Sequence, residues 1–267
     1  MMQAEAVSYV VGGRKLIDNV TLGLKPGRLV VIVGPNGAGK SPLLRMMTGE
    51  LKPTSGRITC EGQDIAGMSA DALARRRAVV VQHSVLAFPF TVLEVVLLGI
   101  TVPGLQPPSR SARQSAITML ERLGLSHLTD RVYTNLSGGE RQRVHIARAL
   151  CQLEAARIAP EESVLFVDEP TSSLDIAHQI VVLQELRRQA AEGRAVLAVL
   201  HDLNLAAGYA DQIQLLSDGR TLASGPAAEV LTDRLLSEAF RCSVRMNTPP
   251  MNGIPFMLPQ SCSIGPE

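Results

Sequence analysis

A short apolar run, Leu29–Val33, leads directly into a glycine-rich loop and then into a segment with helical composition. This order restricts the fold more than any other feature of the chain. The loop residues are Gly34, Pro35, Asn36, Gly37, Ala38, Gly39, Lys40 and Ser41. Glycines let backbone N–H groups curl around a polyphosphate, and the following helix adds the positive end of its dipole. The spacing predicts a phosphate-binding loop, with Lys40 as a charge for the β- and γ-phosphates and Ser41 as a hydroxyl for Mg²⁺. The alternative is an ordinary turn.

The rest of the chain alternates strands with helices. Four β-branched runs lack in/out alternation, as expected of parallel strands that are buried on both faces. They are Leu29–Val33, Ala78–Gln82, Ser163–Val167 and Ala195–Leu200. Helices are predicted over Lys40–Thr48, Arg113–Leu123, Gly139–Cys151 and Ala177–Glu192. The alternation predicts an α/β fold with a mostly parallel sheet.

Three regions depart from this alternation. Near the N-terminus, Ala4–Val10 and Arg57–Glu61 are strand-like and indicate an antiparallel β region. Residues 88–152 are mostly helical, and we interpret them as a helical subdomain inserted into a core of residues 1–240, with Pro103–Pro108 within it as a surface loop. The proline-rich extension 241–267 is expected to have little regular structure.

Composition excludes several classes of protein. Hydrophobic residues make up 46% and charged residues 19% of the 267-residue chain, so it is not a disordered charged tail. The net charge of +1 gives no overall field for nucleic acid. The four cysteines lack zinc-site spacing, and the N-terminus lacks the pattern of a signal peptide, which indicates a cytosolic chain. No apolar stretch reaches the ~20 residues of a spanning helix, so a membrane role requires a partner.

An apolar strand, Val164–Val167, ends in two acids, Asp168 and Glu169. A buried strand that brings Asp168 beside the phosphate-binding loop places a carboxylate where Mg²⁺ is held in P-loop ATPases. Glu169, one residue on, is then placed to accept a proton from an attacking water. The alternative is a strand end with two solvated acids.

A second anion site is predicted at Ser137, Gly138 and Gly139, which open another helix. One nucleotide needs only one such site in a chain. The segment Leu136–Glu140 resembles the signature loop of the ATP-binding-cassette (ABC) family, which closes over the γ-phosphate bound by a second subunit. In isolation these residues could be a plain helix cap.

The resemblance covers about residues 7–236, and its motifs occur in family order. By this resemblance Tyr9 stacks on adenine, and Gln82 contacts Mg²⁺ and the attacking water. Asp175, in Ser172–Asp175, lies in the loop that reaches across the dimer, and His201 contacts the γ-phosphate. The alternatives are edge packing for Tyr9, a strand end for Gln82, an N-cap for Asp175 and a core histidine for His201.

The resemblance implies a RecA-like P-loop NTPase core with a mostly parallel sheet, an antiparallel β subdomain and an inserted α-helical subdomain. Two copies would meet head to tail around two ATP–Mg²⁺, with Lys40 and His201 stabilising transferred charge and Glu169 as the base. Pro42 departs from the family pattern, which has threonine there. Pro42 has neither a hydroxyl nor a backbone N–H for the α-phosphate.

Two stretches resemble the ATPase subunits of importers of iron chelates, haem and cobalamin: Phe88–Val92 with Glu94–Val96, and Glu169–Gln179. Within that group, the long link Cys151–Glu162 resembles haem importers. The apolar segment His83–Val92 lies where members of the family receive a coupling helix from the membrane subunit, although its side chains could simply be core. The implied partners are a second copy, two permease subunits and, indirectly, a periplasmic or surface substrate-binding protein, at the cytoplasmic face of the inner membrane. Alternatives are a siderophore or cobalamin importer, a soluble cassette ATPase and a non-ATPase binding module.

Overall fold

A computed structural model describes residues 2–81, 88–100, 109–156, 158–250, 253–259 and 262. Within them the strands are β1 (Met2–Val11), β2 (Arg14–Leu24), β3 (Leu29–Val33), β4 (Ser55–Cys60), β5 (Gln63–Asp64), β6 (Arg77–Val80), β7 (Val164–Asp168), β8 (Ala195–Val199), β9 (Gln212–Ser217) and β10 (Arg220–Gly225). The α-helices are α1 (Lys40–Met47), α2 (Ala70–Arg76), α3 (Val92–Leu97), α4 (Arg110–Arg122), α5 (Gly138–Ala155), α6 (Ile176–Ala191), α7 (Leu203–Tyr209), α8 (Ala227–Val230) and α9 (Asp233–Phe240).

The central sheet has six strands in the order β10-β9-β3-β8-β7-β6. Of the five pairings described in this sheet, four are parallel, and only β10 runs antiparallel to its neighbour β9. Strands β3, β7 and β8 are buried at every residue, as their continuous apolar runs predicted. The parallel order brings the carboxyl ends of β3, β7 and β8 to one edge, and the segments that follow them carry the predicted site.

The antiparallel region is a separate four-stranded sheet with the order β2-β1-β4-β5. This confirms the predicted antiparallel part and adds β2, which sequence reasoning missed. The pairing of β1 with β2 shifts register between Ala4 and Val10, and Asn19 has a positive φ of 56°. Such irregularities break the period-two pattern by which a strand is recognised in sequence.

The predicted helices are present, with ends that differ by up to four residues. Helix α4 begins at Arg110 instead of Arg113, and α5 extends to Ala155 instead of Cys151. Helices α3, α4 and α5 contribute to one continuous apolar cluster with β6, β7 and β8. No helix in the described part of the chain is long and apolar enough to cross a membrane.

Several predicted features fall at least partly outside the described residues, among them the segment His83–Val92, of which residues 83–87 are not described. The expected surface loop Pro103–Pro108 lies outside them, as does Gln82. Beyond Phe240, the described residues form no α-helix or strand, which agrees with the expectation for the proline-rich extension.

Candidate nucleotide-binding site

The phosphate-binding loop joins β3 to α1, as predicted. Gly39 is the N-cap of α1 and has a left-handed φ of 98°. A Cβ on Gly39 would lie 2.7 Å from the Leu16 carbonyl oxygen, and one on Gly34 would collide with the Leu216 carbonyl oxygen. Both positions therefore require glycine, because the loop is pressed between the end of β9 and the start of β2.

Lys40 is folded into the loop that precedes it. Its side chain is 6% exposed, and Nζ donates hydrogen bonds of 2.9 Å to the carbonyl oxygens of Gly34 and Pro35. Burial lowers the pKa of Lys40, although the carboxylates of Glu169 and Asp168 act in the opposite direction. The ammonium group is thus held at the mouth of the loop, where it can meet an anionic ligand.

An open cleft of about 210 Å³ lies over this loop. Its lining residues are Leu16, Asn36, Gly37, Gly39, Lys40, Ser41, Pro42, Glu169 and His201. The structure thus brings together four segments that are far apart in sequence. Leu16 was missed by sequence reasoning because β2 was not predicted; in the structure its neighbour Ile17 pairs with Tyr9 across β1 and β2.

Asp168 ends β7 and lies beside the start of α1. Its Oδ1 is buried and has no hydrogen-bond partner within the described residues, while the Ser41 hydroxyl lies beside the same carboxyl group. Burial, and then the neighbouring charge of Glu169, raise the pKa of Asp168, whereas the Ser41 hydroxyl lowers it. A buried carboxylate oxygen next to a hydroxyl provides the hard oxygen ligands that fit Mg²⁺.

Glu169 and His201 face each other across the cleft. His201 Nε2 lies 2.5 Å from Glu169 Oε1. Glu169 has a left-handed φ of 48°, a conformation that costs a non-glycine residue about 1–3 kcal/mol and is concentrated at functional sites. His201 follows β8 and is largely exposed, which rules out the alternative of a core histidine.

The second predicted anion site lies at the N-terminus of α5. Ser137 and Glu140 form a capping box, in which Glu140 Oε2 accepts a 2.7 Å bond from the Ser137 backbone N–H. A Cβ on Gly139 would lie 3.0 Å from the Ser173 carbonyl oxygen, so this helix end packs closely on the loop before α6. The structure thus brings Gly138 and Gly139 next to Ser173 and Leu174, and neither Ser137–Gly139 nor this loop lines the cleft over Lys40.

Two further predicted residues lie near the site without lining it. Tyr9 is half-buried in β1, where it packs against the apolar cluster below α1, and it is absent from the lining of the cleft. Asp175 is the N-cap of α6, since its Oδ1 accepts a 3.0 Å bond from the His178 backbone N–H. Asp175 therefore acts as an N-cap, as the alternative interpretation predicted. This role uses Oδ1 and leaves Oδ2 for other contacts.

We expect Asp168→Asn to make the nucleotide-free chain more stable near pH 7. Because the pKa of Asp168 is higher in the folded state than in the unfolded state, the folded chain keeps this proton up to a higher pH. The free energy of unfolding therefore decreases as the pH rises from the unfolded-state pKa to the folded-state pKa, and it stays low above that range. Removing this charge should raise the Tm by about 2–4 °C for each kcal/mol that is added to the free energy of unfolding. Scanning calorimetry at pH 7.5 and pH 4 measures this. A Tm equal to or below that of the parent at pH 7.5 would contradict the expectation.

Comparison with known proteins agrees with this geometry. The family profile described as ABC transporter matches residues 17–172. A nucleotide-free ATP-binding cassette from an ABC transporter superposes with a TM-score of 0.77 at 27% identity, covering 90% of this chain and 98% of that one. A dimeric bacterial ABC transporter cassette gives 0.73 at 27% identity, covering 85% and 99%. The chain therefore belongs to the ABC transporter family and has the fold of its ATP-binding cassettes.

Within the family the chain is similar to one group of curated relatives. The hemin import ATP-binding protein HmuV of Rhizobium meliloti is 42% identical over 99% of this chain and 100% of the relative. HmuV of Rhodopseudomonas palustris is 45% identical over 97% of this chain and 94% of the relative. An inward-facing metal-chelate type ABC transporter also superposes, with a TM-score of 0.74 at 27% identity and coverage of 90% and 88%.

Proposed function

We propose that this chain is the ATP-hydrolysing subunit of a hemin importer, and that it works as a pair beneath a membrane permease. The observation that carries the hydrolytic part is the cleft itself. Lys40, Glu169 and His201 line one cavity over the phosphate-binding loop, where a triphosphate, its charge-stabilising lysine and a base for water would meet. Hemin as the cargo is supported by the names of relatives that are 41–45% identical over nearly the whole chain.

Each polar residue of the cleft would have a different role in hydrolysis. Lys40 would leave the carbonyl oxygens of the loop for the β- and γ-phosphates. Glu169 would accept the proton of the attacking water, and His201, already in contact with Glu169, would donate to the γ-phosphate. Tyr9, together with Leu16, would hold the adenine.

A magnesium ion would be held by Ser41 and Asp168, with Gln82 as a further ligand. When bound, it neutralises charge that develops on the phosphate oxygens. The buried Asp168 oxygen, which has no donor among the described residues, supports this assignment, because cation binding would relieve its desolvation.

The second half of each site would come from a second copy of the chain. Ser137–Gly139 lies outside the cleft of its own chain, and the solved dimeric cassette supports a paired arrangement. Asp175 would reach across the same seam. In this arrangement residues 88–152 form a helical subdomain within the cassette of residues 1–240, and residues 241–267 form an extension. The pair of chains lies at the cytoplasmic face of the membrane.

Reconstitution tests the cargo and the activity together. The chain is co-expressed with its candidate permease and placed in vesicles that contain ATP and magnesium. ATP-dependent uptake of hemin, and ATPase activity that rises with the permease, are expected. Uptake of a ferric siderophore or cobalamin instead of hemin would reject the cargo, whereas stimulation by nucleic acid or ribosomes would reject the transport function.

We expect Pro42→Thr to tighten ATP binding. Pro42 lies in the first turn of α1 and lines the cleft, but it has neither a hydroxyl nor a backbone N–H to offer an α-phosphate. One restored charge-assisted hydrogen bond contributes about 1.5–3 kcal/mol, or roughly a 10- to 100-fold lower Kd. Isothermal titration calorimetry measures the Kd, and Pro42→Ala, which restores only the N–H, is the matched comparison. An unchanged Kd for the threonine variant would reject this role.

A further inference from the structure

A cluster of charged and polar side chains joins helices α4 and α5 to the segment between α6 and β8. Its members are Arg122, Glu154, Glu185, Gln189, Glu192 and Arg194. None of them lines the nucleotide cleft. The cluster therefore makes no direct contact with the space in which nucleotide would bind.

Arg194 is the centre of the cluster. Its Nη2 lies 2.6 Å from Glu154 Oε1 on α5, and its Nη1 donates to Gln189 Oε1 at 2.8 Å and to Glu192 Oε2 at 3.0 Å. A single guanidinium group thus ties the C-terminal end of α5 to the end of α6 and the turn that follows. The fork of an arginine can hold several acceptors in fixed directions, which a lysine cannot do.

Arg122, at the last turn of α4, provides a second link to the same place. Its Nη1 lies 3.7 Å from Glu185 and 3.6 Å from Glu192. Glu185 also accepts a 2.7 Å hydrogen bond from Gln189, which in turn bonds to Arg194. Both helices are therefore connected to one network on α6.

Burial makes this network sensitive to any loss of a partner. Glu185 is 2% exposed and Arg194 is 5% exposed. An unpaired charge at either of these two positions is strongly unfavourable, whereas the side chains of Glu154, Glu192 and Arg122 are 42%, 35% and 27% exposed. Near the same end of α5, the Gln152 amide donates to the carbonyl oxygens of Ala74 and Arg77. The C-terminal end of α5 is thus attached on two sides.

The opposite end of α5 carries Ser137–Gly139. The helix has 18 residues and is therefore about 27 Å long, so a tilt of about 5° at the attached end moves the other end by about 2 Å. Displacements of about 1 Å can cost roughly a hundredfold in rate when they misplace a reacting group. A change of tilt at the Arg194 end would therefore displace the serine and glycine residues at the other end.

We propose that Arg194 and Glu154 are positioning residues for ATP hydrolysis. Supported by Arg122 and Glu185, they set the tilt of α5 so that Ser137–Gly139 meets the nucleotide held by a second copy. This inference rests on the proposed function, in which the two halves of each site come from different chains.

The test uses the full chain with Glu169→Gln, so that ATP is bound but not consumed, and adds Glu154→Gln. Light scattering gives the ATP concentration for half-maximal dimer formation, and calorimetry gives the Kd for ADP, which lacks the γ-phosphate that joins two copies. We expect the ATP midpoint to rise about tenfold, because a misplaced Ser137–Gly139 contacts the γ-phosphate poorly, and the ADP Kd to stay within about twofold.

Two further variants complete the experiment. Glu121→Gln changes an exposed glutamate on α4 and should keep the parent midpoint. Arg194→Lys keeps the charge but not the fork, and its midpoint should lie between those of the parent and Glu154→Gln. If the Glu154→Gln variant has the same ATP midpoint as the parent, or if its ADP Kd rises by the same factor as its ATP midpoint, this inference is overturned and the proposed function is not. Failure of the Glu169→Gln parent to dimerise with ATP overturns the proposed function, and this inference with it.

Discussion

Replacing Glu169 with glutamine is expected to lower the rate of ATP hydrolysis by about 10²- to 10⁴-fold while ATP still binds. Glu169 lines the cleft, and its carboxylate is in contact with His201. Glutamine has nearly the same shape but cannot accept the proton of the attacking water. Phosphate release gives the rate, and calorimetry gives the Kd for ATP.

A closed dimer should accumulate in this variant, because the γ-phosphate that joins the two copies is no longer removed. Light scattering with ATP and magnesium measures the dimer. The control is Glu162→Gln, which changes an exposed glutamate just before β7 and should leave the rate unchanged. Near-normal hydrolysis by Glu169→Gln would show that another group serves as the base.

Replacing Lys40 with methionine is expected to weaken ATP binding by about a hundredfold or more. Lys40 makes two 2.9 Å hydrogen bonds to the loop carbonyls, and these donors would turn to the phosphates when ATP binds. Two charge-assisted hydrogen bonds at about 1.5–3 kcal/mol each exceed the roughly 2.7 kcal/mol that corresponds to a hundredfold in Kd. Methionine keeps the apolar stem, so the change tests the ammonium group.

Calorimetric titration with ATP and magnesium measures this loss. Lys52→Met, an exposed lysine in the loop that follows α1, is the matched control and should bind ATP as the parent does. If Lys40→Met binds ATP with the parental Kd, the loop does not hold the triphosphate in the way proposed, and the hydrolytic function is lost with it.

Local patterns were sufficient to predict most elements of the central sheet. Continuous apolar runs identified β3, β7 and β8, because strands that are buried on both faces need no alternation. The strand pair β9 and β10 was not predicted. Strand β10 is half-exposed at the edge of the sheet, and its mixed composition resembles that of a loop.

Most of the functional groups that line the cleft could also be predicted from the sequence. Glycines beside Lys40 and Ser41, together with acids after an apolar strand, rarely occur in one chain unless that chain binds a nucleotide. What could not be predicted is which side chains meet. The contact of Ser41 with Asp168, the pairing of His201 with Glu169 and the presence of Leu16 in the cleft join residues that are far apart in the chain.

The sequence by itself determined the kind of ligand, since loop glycines, a lysine and a hydroxyl can be recognised by spacing alone. Only the tertiary structure decided how Arg194 connects α5 to α6, and that Ser137–Gly139 lies outside the cleft of its own chain. The physical reason is that a motif depends on neighbours in the chain. A contact between distant residues depends instead on strand order and helix packing, which the whole core sets through burial.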